Sequence, residues 1–298
     1  MKGIRRDSTT GFGFSVPALI VYVGFAVIPM GVAAYLSLVA WDGLSEQVFV
    51  GLANWRRLLG DPVAGRAITL SVEMMVLSWV VQTPVSLLLG VFMAGRQRYR
   101  EVLGAIYFLP LLFSAVAIGI TWQYILDPNF GVVDNGLEAL GLSALAKNWL
   151  GDPGLAFYTL VLLIAWQFIP FHSLLYQAGV RQIPRELYEA AEIDGAGAFA
   201  RFFRITLPQL KYTVVTSTTL ILTGSLTYFD LIFVTTGGGP GYATRVLPLD
   251  MYIRAFGQHE MGYGSVLAVL IAGGGVVLSL LLLKLTGFTR MTSRLEGL

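Results

Sequence analysis

The chain has no cysteine, only two histidines and few charges. Without cysteine it can form neither a disulfide nor a thiolate metal site. His172 and His259 stand far apart in sequence, and no H-E-x-x-H or EF-hand loop is present. No G-x-x-x-x-G-K-[ST] string occurs, so no phosphate loop for a nucleotide is found. A G-x-G-x-x-A string does occur, at Gly195–Ala200. It follows a helical stretch rather than a strand, so a dinucleotide reading fails on context. Charged residues make up only 13% of the 298 positions. Soluble domains carry about 25%.

What fills the chain instead is hydrocarbon, with 55% hydrophobic residues. Six apolar stretches approach or exceed the ~20 residues needed to cross a bilayer. They are Phe12–Ala40, Ile68–Ala94, Val102–Leu126, Leu155–Ala178, Thr213–Thr235 and Gly264–Phe288. Little soluble sequence is left over. The expectation is an all-α membrane protein with six transmembrane helices in one domain over residues 1–298. Lys2, Arg5 and Arg6 look like the start of a signal peptide. The apolar run behind them is longer than the ~7–15 residues of a signal h-region, so it reads as a retained span.

Most of the 20 basic residues fall on one side of such a six-span layout, with Arg56, Arg57, Arg66, Lys147, Arg245 and Arg254 on the other. The positive-inside rule then places both termini in the cytoplasm. The net charge of +2 reflects this topology and gives no reason to expect nucleic acid.

Between the fourth and fifth stretches lies a charged, helix-forming segment, EAAEIDGAGAFARFFRITLP over residues 189–208. Pro184 suits a first helical turn, and Glu186, Glu189, Glu192 and Asp194 sit where acids favour the dipole. Gly195 and Gly197 allow a sharp turn before a second helix over Phe199–Ile205, which Pro208 helps to end. EAA, then D-G-A three residues on, then I-x-L-P, closely resembles the coupling loop of binding-protein-dependent ABC-importer permeases. The resemblance implies the type I importer permease fold, with residues 180–212 as a cytoplasmic loop that fits a cleft on an ATPase. It gives the coupling role to Glu189, Ala190, Ala191, Asp194, Gly195, Ala196, Phe202, Ile205, Leu207 and Pro208.

A second segment, Phe229–Leu247, is similar to the F-D-x-I-x-x-x-T-x-G-G-P…T-x-x-L pattern of the carbohydrate-uptake branch, the maltose and glycerol-3-phosphate permeases. Phe108-Leu109-Pro110, Trp166-Gln167 and Met261-Gly262-Tyr263-Gly264 also fit. The family implies a paralogous second permease, two ATPase subunits that bind ATP and Mg, and an extracytoplasmic solute-binding protein. It places the assembly in the bacterial cytoplasmic (inner) membrane, working by alternating access. No cofactor and no catalytic residue is expected in this chain. Gly237, Gly238, Gly239, Pro240, Gly241 and Tyr242 are the expected contact for the binding protein.

Polar groups inside spans are costly and are candidates for a solute path. Glu73 and Asp230 are the carboxylates at such depth. Thr216, Thr219, Thr223, Thr227 and Asp230 recur at i+3 or i+4, one stripe on a continuous helix. Tyr228, Gln82, Trp122, Gln123, Trp166 and Gln167 lie at similar depth and could supply the hydroxyl partners and aromatic face that a sugar needs. The opposing readings are threonine hydroxyls bonded to their own helix, Trp122 as an interfacial anchor and His172 as a packed histidine. No basic residue falls within the central spans, which favours a neutral sugar over glycerol phosphate. An amino-acid importer, an ion-coupled secondary transporter and a membrane-embedded enzyme are the alternatives. The secondary transporter leaves the charged loop unexplained, and for the enzyme Glu73 and Asp230 alone make no nucleophile or metal cluster.

Overall fold

A computed structural model describes residues 8–95 and 97–286, with side chains over 15–95 and 97–285. Of the expected topology determinants, Lys2, Arg5, Arg6, Arg96, Arg290 and Arg294 lie outside the described residues, as do the last two positions of the sixth stretch. The chain divides into two compact units. One comprises Met1–Asp61 with Asp250–Gly273, the other Pro62–Leu249 with Gly274–Leu298.

The first unit opens with α1 (Ser8–Tyr22) and α2 (Ile28–Leu36), joined by a π-turn over Val23–Val27. Pro29 follows that turn. A proline has no N–H to donate and its ring crowds the carbonyl four residues back, and a π-turn absorbs the mismatch. Helix ends at Leu36, so the expected run to Ala40 stops short. An antiparallel hairpin takes over, β1 (Val39–Ala40) against β2 (Val48–Phe49), and then α3 (Ala53–Gly60). At the hairpin tip the Asp42 carboxylate accepts the Ser45 and Leu44 N–H groups and the Ser45 hydroxyl. Those bonds, the Ser45 N–H first, lower its pKa to about 2. Asp42 therefore stays ionised and the tip stays capped throughout the physiological pH range.

The second unit begins with α4 (Pro62–Met93), 32 residues long and ample for a bilayer. Next come α5 (Arg98–Tyr107), a 3₁₀ turn at Leu109–Leu112, and α6 (Ala115–Ile125). These segments bend by 101° at the break between them. Pro110 interrupts the first, and the Ser114 hydroxyl accepts the Ala117 N–H to cap the second. The expected span Val102–Leu126 is thus a bent pair. The next connection carries α7 (Val132–Ala139) and a 3₁₀ turn at Ser143–Leu145. α8 (Ala156–Arg181) is the central helix of this unit. Its best apolar window is 61% buried, against 22% for α4.

After α8 come α9 (Arg185–Ile193), α10 (Ala198–Arg201), a π-turn at Phe202–Thr206 and α11 (Leu207–Gln209). α12 (Lys211–Ser225) packs on α4 and α8. It stops at Ser225, and α13 (Asp230–Thr235) starts only after four non-helical residues. The expected continuous span Thr213–Thr235 is therefore two pieces, and the stripe from Thr216 to Asp230 does not run along one helix. Where α4, α8 and α12 meet, the side chains are small and polar: Ser78, Gln82, Ser86, Ser173 and Ser217 are fully buried. His172 Nδ1 lies 3.0 Å from the Ser217 hydroxyl, so this histidine is packed and partnered.

α14 (Leu247–Tyr252), a π-turn at Ile253–Gly257 and α15 (Met261–Thr286) complete the order. Among the described residues, four helices are long and apolar enough to cross a membrane, or five if the bent pair is one span.

The first unit is tied by charge. Arg254 donates to Asp61 at 2.7 Å, and the Tyr263 hydroxyl donates to the same oxygen at 3.0 Å. Both ionic side chains are nearly buried, 13% and 9% exposed, whereas Arg57 in its pair with Glu260 is 44% exposed. Stranding a buried charge costs roughly 3–5 kcal/mol. An exposed pair contributes about 0–1 kcal/mol. Arg254→Ala should therefore lower the thermal midpoint of the solubilised protein by several degrees, and Arg57→Ala should barely move it. Equal shifts would contradict this assignment.

Candidate functional site

The charged loop folds as a rigid peg. α9 ends in a paired 6→1 and 5→2 cap: the Ala196 N–H reaches the Ala191 carbonyl at 2.8 Å, and the Gly195 N–H reaches Glu192 at 3.0 Å. Gly195 takes φ +73°, the left-handed conformation this cap needs. The spacing of E-A-A and D-G-A thus has a physical reading. Ala191 and Ala196 close the cap, Asp194 is the C-cap residue just past Ile193 and Gly195 makes the reversal. Gly197 has φ −65° and caps α10 instead, so only one of the two expected glycines makes the turn. Pro184 stands at the N-cap of α9, one position before the helix. Pro208 does not end its helix. The π-turn before it lets the chain pass through to Gln209, as the π-turn before Pro29 does.

Across the turn Arg201 is ion-paired with Glu192. The Tyr188 hydroxyl meets the Thr206 hydroxyl at 2.9 Å. Tyr176, Ile183 and Leu210 form a buried cluster on which Tyr188 and Ile205 pack. Ile205 therefore anchors the peg to α8. The outward surface is apolar: Ile193 is 88% exposed and Phe199 78%, with Phe203 beside Phe199 at 4.5 Å between ring centroids. Glu189, Ala190, Asp194 and Gly195 are exposed with them, while Phe202 and Leu207 are half-buried.

The G-G-P segment is a tight loop closed by its two motif threonines. The Thr236 and Thr244 hydroxyls meet at 2.7 Å, and Thr244 also donates to the Gly239 carbonyl at 2.8 Å. Gly237, Gly238 and Gly241 all have positive φ, and the Gly239–Pro240 peptide is cis. Leu247, the last motif residue, is buried, and its N–H donates to the Ser71 hydroxyl at 2.8 Å. Tyr242 projects at the loop surface, 53% exposed, with the Arg245 guanidinium over its ring.

The candidate path residues divide. Tyr228 sits in the break between α12 and α13, stacked on Phe168 with centroids 5.5 Å apart. Its hydroxyl faces Gln82 and Ser225, yet neither amide atom of the fully buried Gln82 makes a hydrogen bond. Thr227 and Asp230 are exposed at the same break. The Asp230 carboxylate has no hydrogen-bond or ion-pair partner among the described residues. By contrast, Thr223 donates to the Thr219 carbonyl at 2.7 Å and Thr227 to Gly224 at 2.9 Å. Thr216 and Thr219 likewise bond back to Tyr212 and Val215. Glu73 pairs with Arg66 at 3.8 Å. Trp122 and Trp166 form an edge-to-face pair at 5.4 Å, in a separate apolar cavity of about 400 Å³. Gln167 is buried on α8. Gln123 bonds the Val234 and Thr235 carbonyls and ties α6 to α13.

Residues 86–288 match the family described as the binding-protein-dependent transport system inner membrane component. The chain belongs to that family. It is 36% identical over 284 residues to the probable ABC transporter permease protein YurN of Bacillus subtilis, covering 94% of this chain and 97% of that protein. It is 34% identical over 268 residues to the trehalose/maltose transport system permease protein MalF of Thermococcus litoralis, covering 89% of each. Among solved structures, a chain of a bacterial alginate ABC transporter, in complex with an alginate pentasaccharide-bound periplasmic protein, superposes with a TM-score of 0.82. The match covers 95% of both chains at 22% identity, which makes it a likeness of fold.

Several features of this permease escaped the sequence reading. Ile193 and Phe199 carried a signal, bulky apolar side chains in an otherwise charged loop. Phe168 carried none, because its partner Tyr228 lies 60 positions away and the break that aims Tyr228 at it contains neither proline nor glycine.

Proposed function

We propose that this permease is the membrane subunit of an ATP-driven importer for a neutral sugar, receiving its solute from an extracytoplasmic binding protein. The observation that carries the ATP-driven part is the peg of α9 and α10. It is capped, tethered and yet apolar on its exposed face. Such a surface calls for a protein partner. An ATPase cleft receives Ile193 and Phe199, and Glu189 offers a charge-assisted contact to a basic residue there. ATP and Mg bind to that ATPase, one copy under each of two paralogous permeases. Closure of the ATPases draws the pegs together and turns the permease pair outward.

The sugar part is supported by relatives whose names refer to trehalose and maltose, and by the alginate transporter seen with its periplasmic protein. Counting the bent third stretch and the broken fifth stretch as one crossing each gives six crossings in one permease domain, with both termini in the cytoplasm. Irregular backbone at membrane depth is tolerated only where protein buries it or water reaches it. The break at residues 226–229, with Thr227 and Asp230 exposed, is where we place the solute path, beside Tyr228, Gln82 and Gln167.

Co-purification tests the assembly. The subunit should come out with an ATPase and a second permease, and the cognate binding protein should retain a neutral sugar. Recovery of the chain alone in active form, or retention of an amino acid, would refute the reading. The loop Gly237–Arg245 should face outward. Cysteine placed at Tyr242 should react with a membrane-impermeant thiol reagent from outside, and docked binding protein should protect it. Labelling from the cytoplasmic side alone would reverse the topology. The native chain's lack of cysteine removes background.

A further inference from the structure

A cavity of about 660 Å³ lies at the end of α6, lined by Gln123, Tyr124, Asp127, Phe130, Asn148 and Thr235 among others. None of this lining except Gln123 was singled out from sequence. Tyr124 and Phe130 are 64% and 60% exposed, with ring centroids 6.2 Å apart and planes tilted by 40°. Two large rings held this close offer apolar faces that the described residues leave largely uncovered.

The polar groups around them are fixed by the backbone. Asp127 Oδ1 accepts the Asn129 N–H at 2.8 Å and the Phe130 N–H at 3.2 Å, which orients the carboxylate and the Phe130 turn together. Asn148 Oδ1 accepts the Gly151 N–H at 2.9 Å, and a Cβ at residue 151 would displace the Asn148 amide. Gln123 Nε2 is held by the Val234 and Thr235 carbonyls. Among the described residues, each anchored side chain has one polar atom to spare: Asp127 Oδ2 and Gln123 Oε1 as acceptors, Asn148 Nδ2 as a donor. No basic side chain is among the lining residues.

We propose that this cavity is an outer subsite for one neutral sugar ring, occupied before the solute reaches the break at residues 226–229. It rests on the sugar-importer reading above. Carboxylate and amide oxygens accept sugar hydroxyls, an amide nitrogen donates to one, and Tyr124 or Phe130 covers the C–H face of the ring. A carboxylate in a lining that carries no basic side chain selects against anionic sugars. Gln123 links the subsite directly to α13, which leads back to the break, so a ring held here touches the element that the path uses. The exposed aromatic faces give modest affinity, which suits a transfer station rather than a trap.

The test uses the assembled transporter in proteoliposomes with its loaded binding protein, and radiolabelled neutral sugars including maltose and trehalose. The double variant Tyr124→Ala/Phe130→Ala should reduce uptake of the transported sugar at least fivefold at limiting supply. Membrane level, binding-protein docking and basal ATP hydrolysis should stay at wild-type values. Tyr124→Phe, which keeps the ring, should restore uptake in the presence of native Phe130. Asn148→Ala should raise the half-saturating concentration more than it lowers the maximal rate. Native uptake by the double variant at limiting supply would overturn the subsite. Wild-type transporter that takes up no neutral sugar would instead overturn the reading on which the subsite rests.

Discussion

Replacing Gly195 by valine is expected to abolish ATP-driven uptake while leaving the subunit in the membrane at its normal level. Gly195 holds φ +73° in the cap between α9 and α10, and open space surrounds the position of a Cβ. The effect is therefore one of backbone strain, without a clash. A residue with a Cβ pays roughly 1–2 kcal/mol in the left-handed region. A β-branched residue is a genuine outlier there. Valine would unwind the paired cap, release Ala196 from Ala191 and change how α10 sits against α9. Asparagine tolerates this conformation, so Gly195→Asn should keep much of the activity. Uptake by the valine variant at the native rate would show that the shape of the peg does not matter. Loss of both variants from the membrane would show that the turn serves insertion instead.

The second large effect is expected at Asp230. Asp230→Ala should lower uptake about tenfold, equivalent to about 1.4 kcal/mol, without lowering membrane abundance or binding-protein docking. A carboxylate at membrane depth needs water or a partner. Asp230 is exposed beside the helix break and has no partner within the described residues. Arg245, a conceivable tie, lies over Tyr242 instead. The hydrated path proposed between this chain and a second permease would supply the water. If Asp230 were instead a structural tie to the second permease, its loss would break assembly, which native gel analysis would reveal. A variant that assembles and transports at the native rate would remove Asp230 from the path.

The peg was legible in the sequence because local chemistry fixes it. Ala191, Asp194, Gly195 and Ala196 are the positions of one cap, and the glycine follows from its left-handed geometry. The G-G-P loop was legible for the same reason, with Thr236 and Thr244 closing it and glycines where φ is positive. The apolar stretches were also visible, but hydropathy averages over breaks. Pro110 and Ser114 marked the bend in the third stretch and were outweighed by the leucines around them. The break after Ser225 had no local mark. It comes with Tyr228 packed on Phe168, a tertiary contact that no window of sequence contains. The threonine stripe failed with it, since helical spacing means nothing across a non-helical segment. Pro29 and Pro208 were read as span interior and helix end. Both are accommodated by π-turns, a backbone option that apolar periodicity does not reveal.

The claim beneath all of these is that ATP hydrolysis on a partner subunit, relayed through the peg, moves a sugar past the break in the fifth stretch. Uptake by sealed proteoliposomes containing the assembled transporter tests it most directly. The account predicts that sugar accumulates only when ATP and loaded binding protein are both present on their proper sides, and that a proton or sodium gradient changes nothing. Accumulation driven by an ion gradient in the absence of ATP would contradict it.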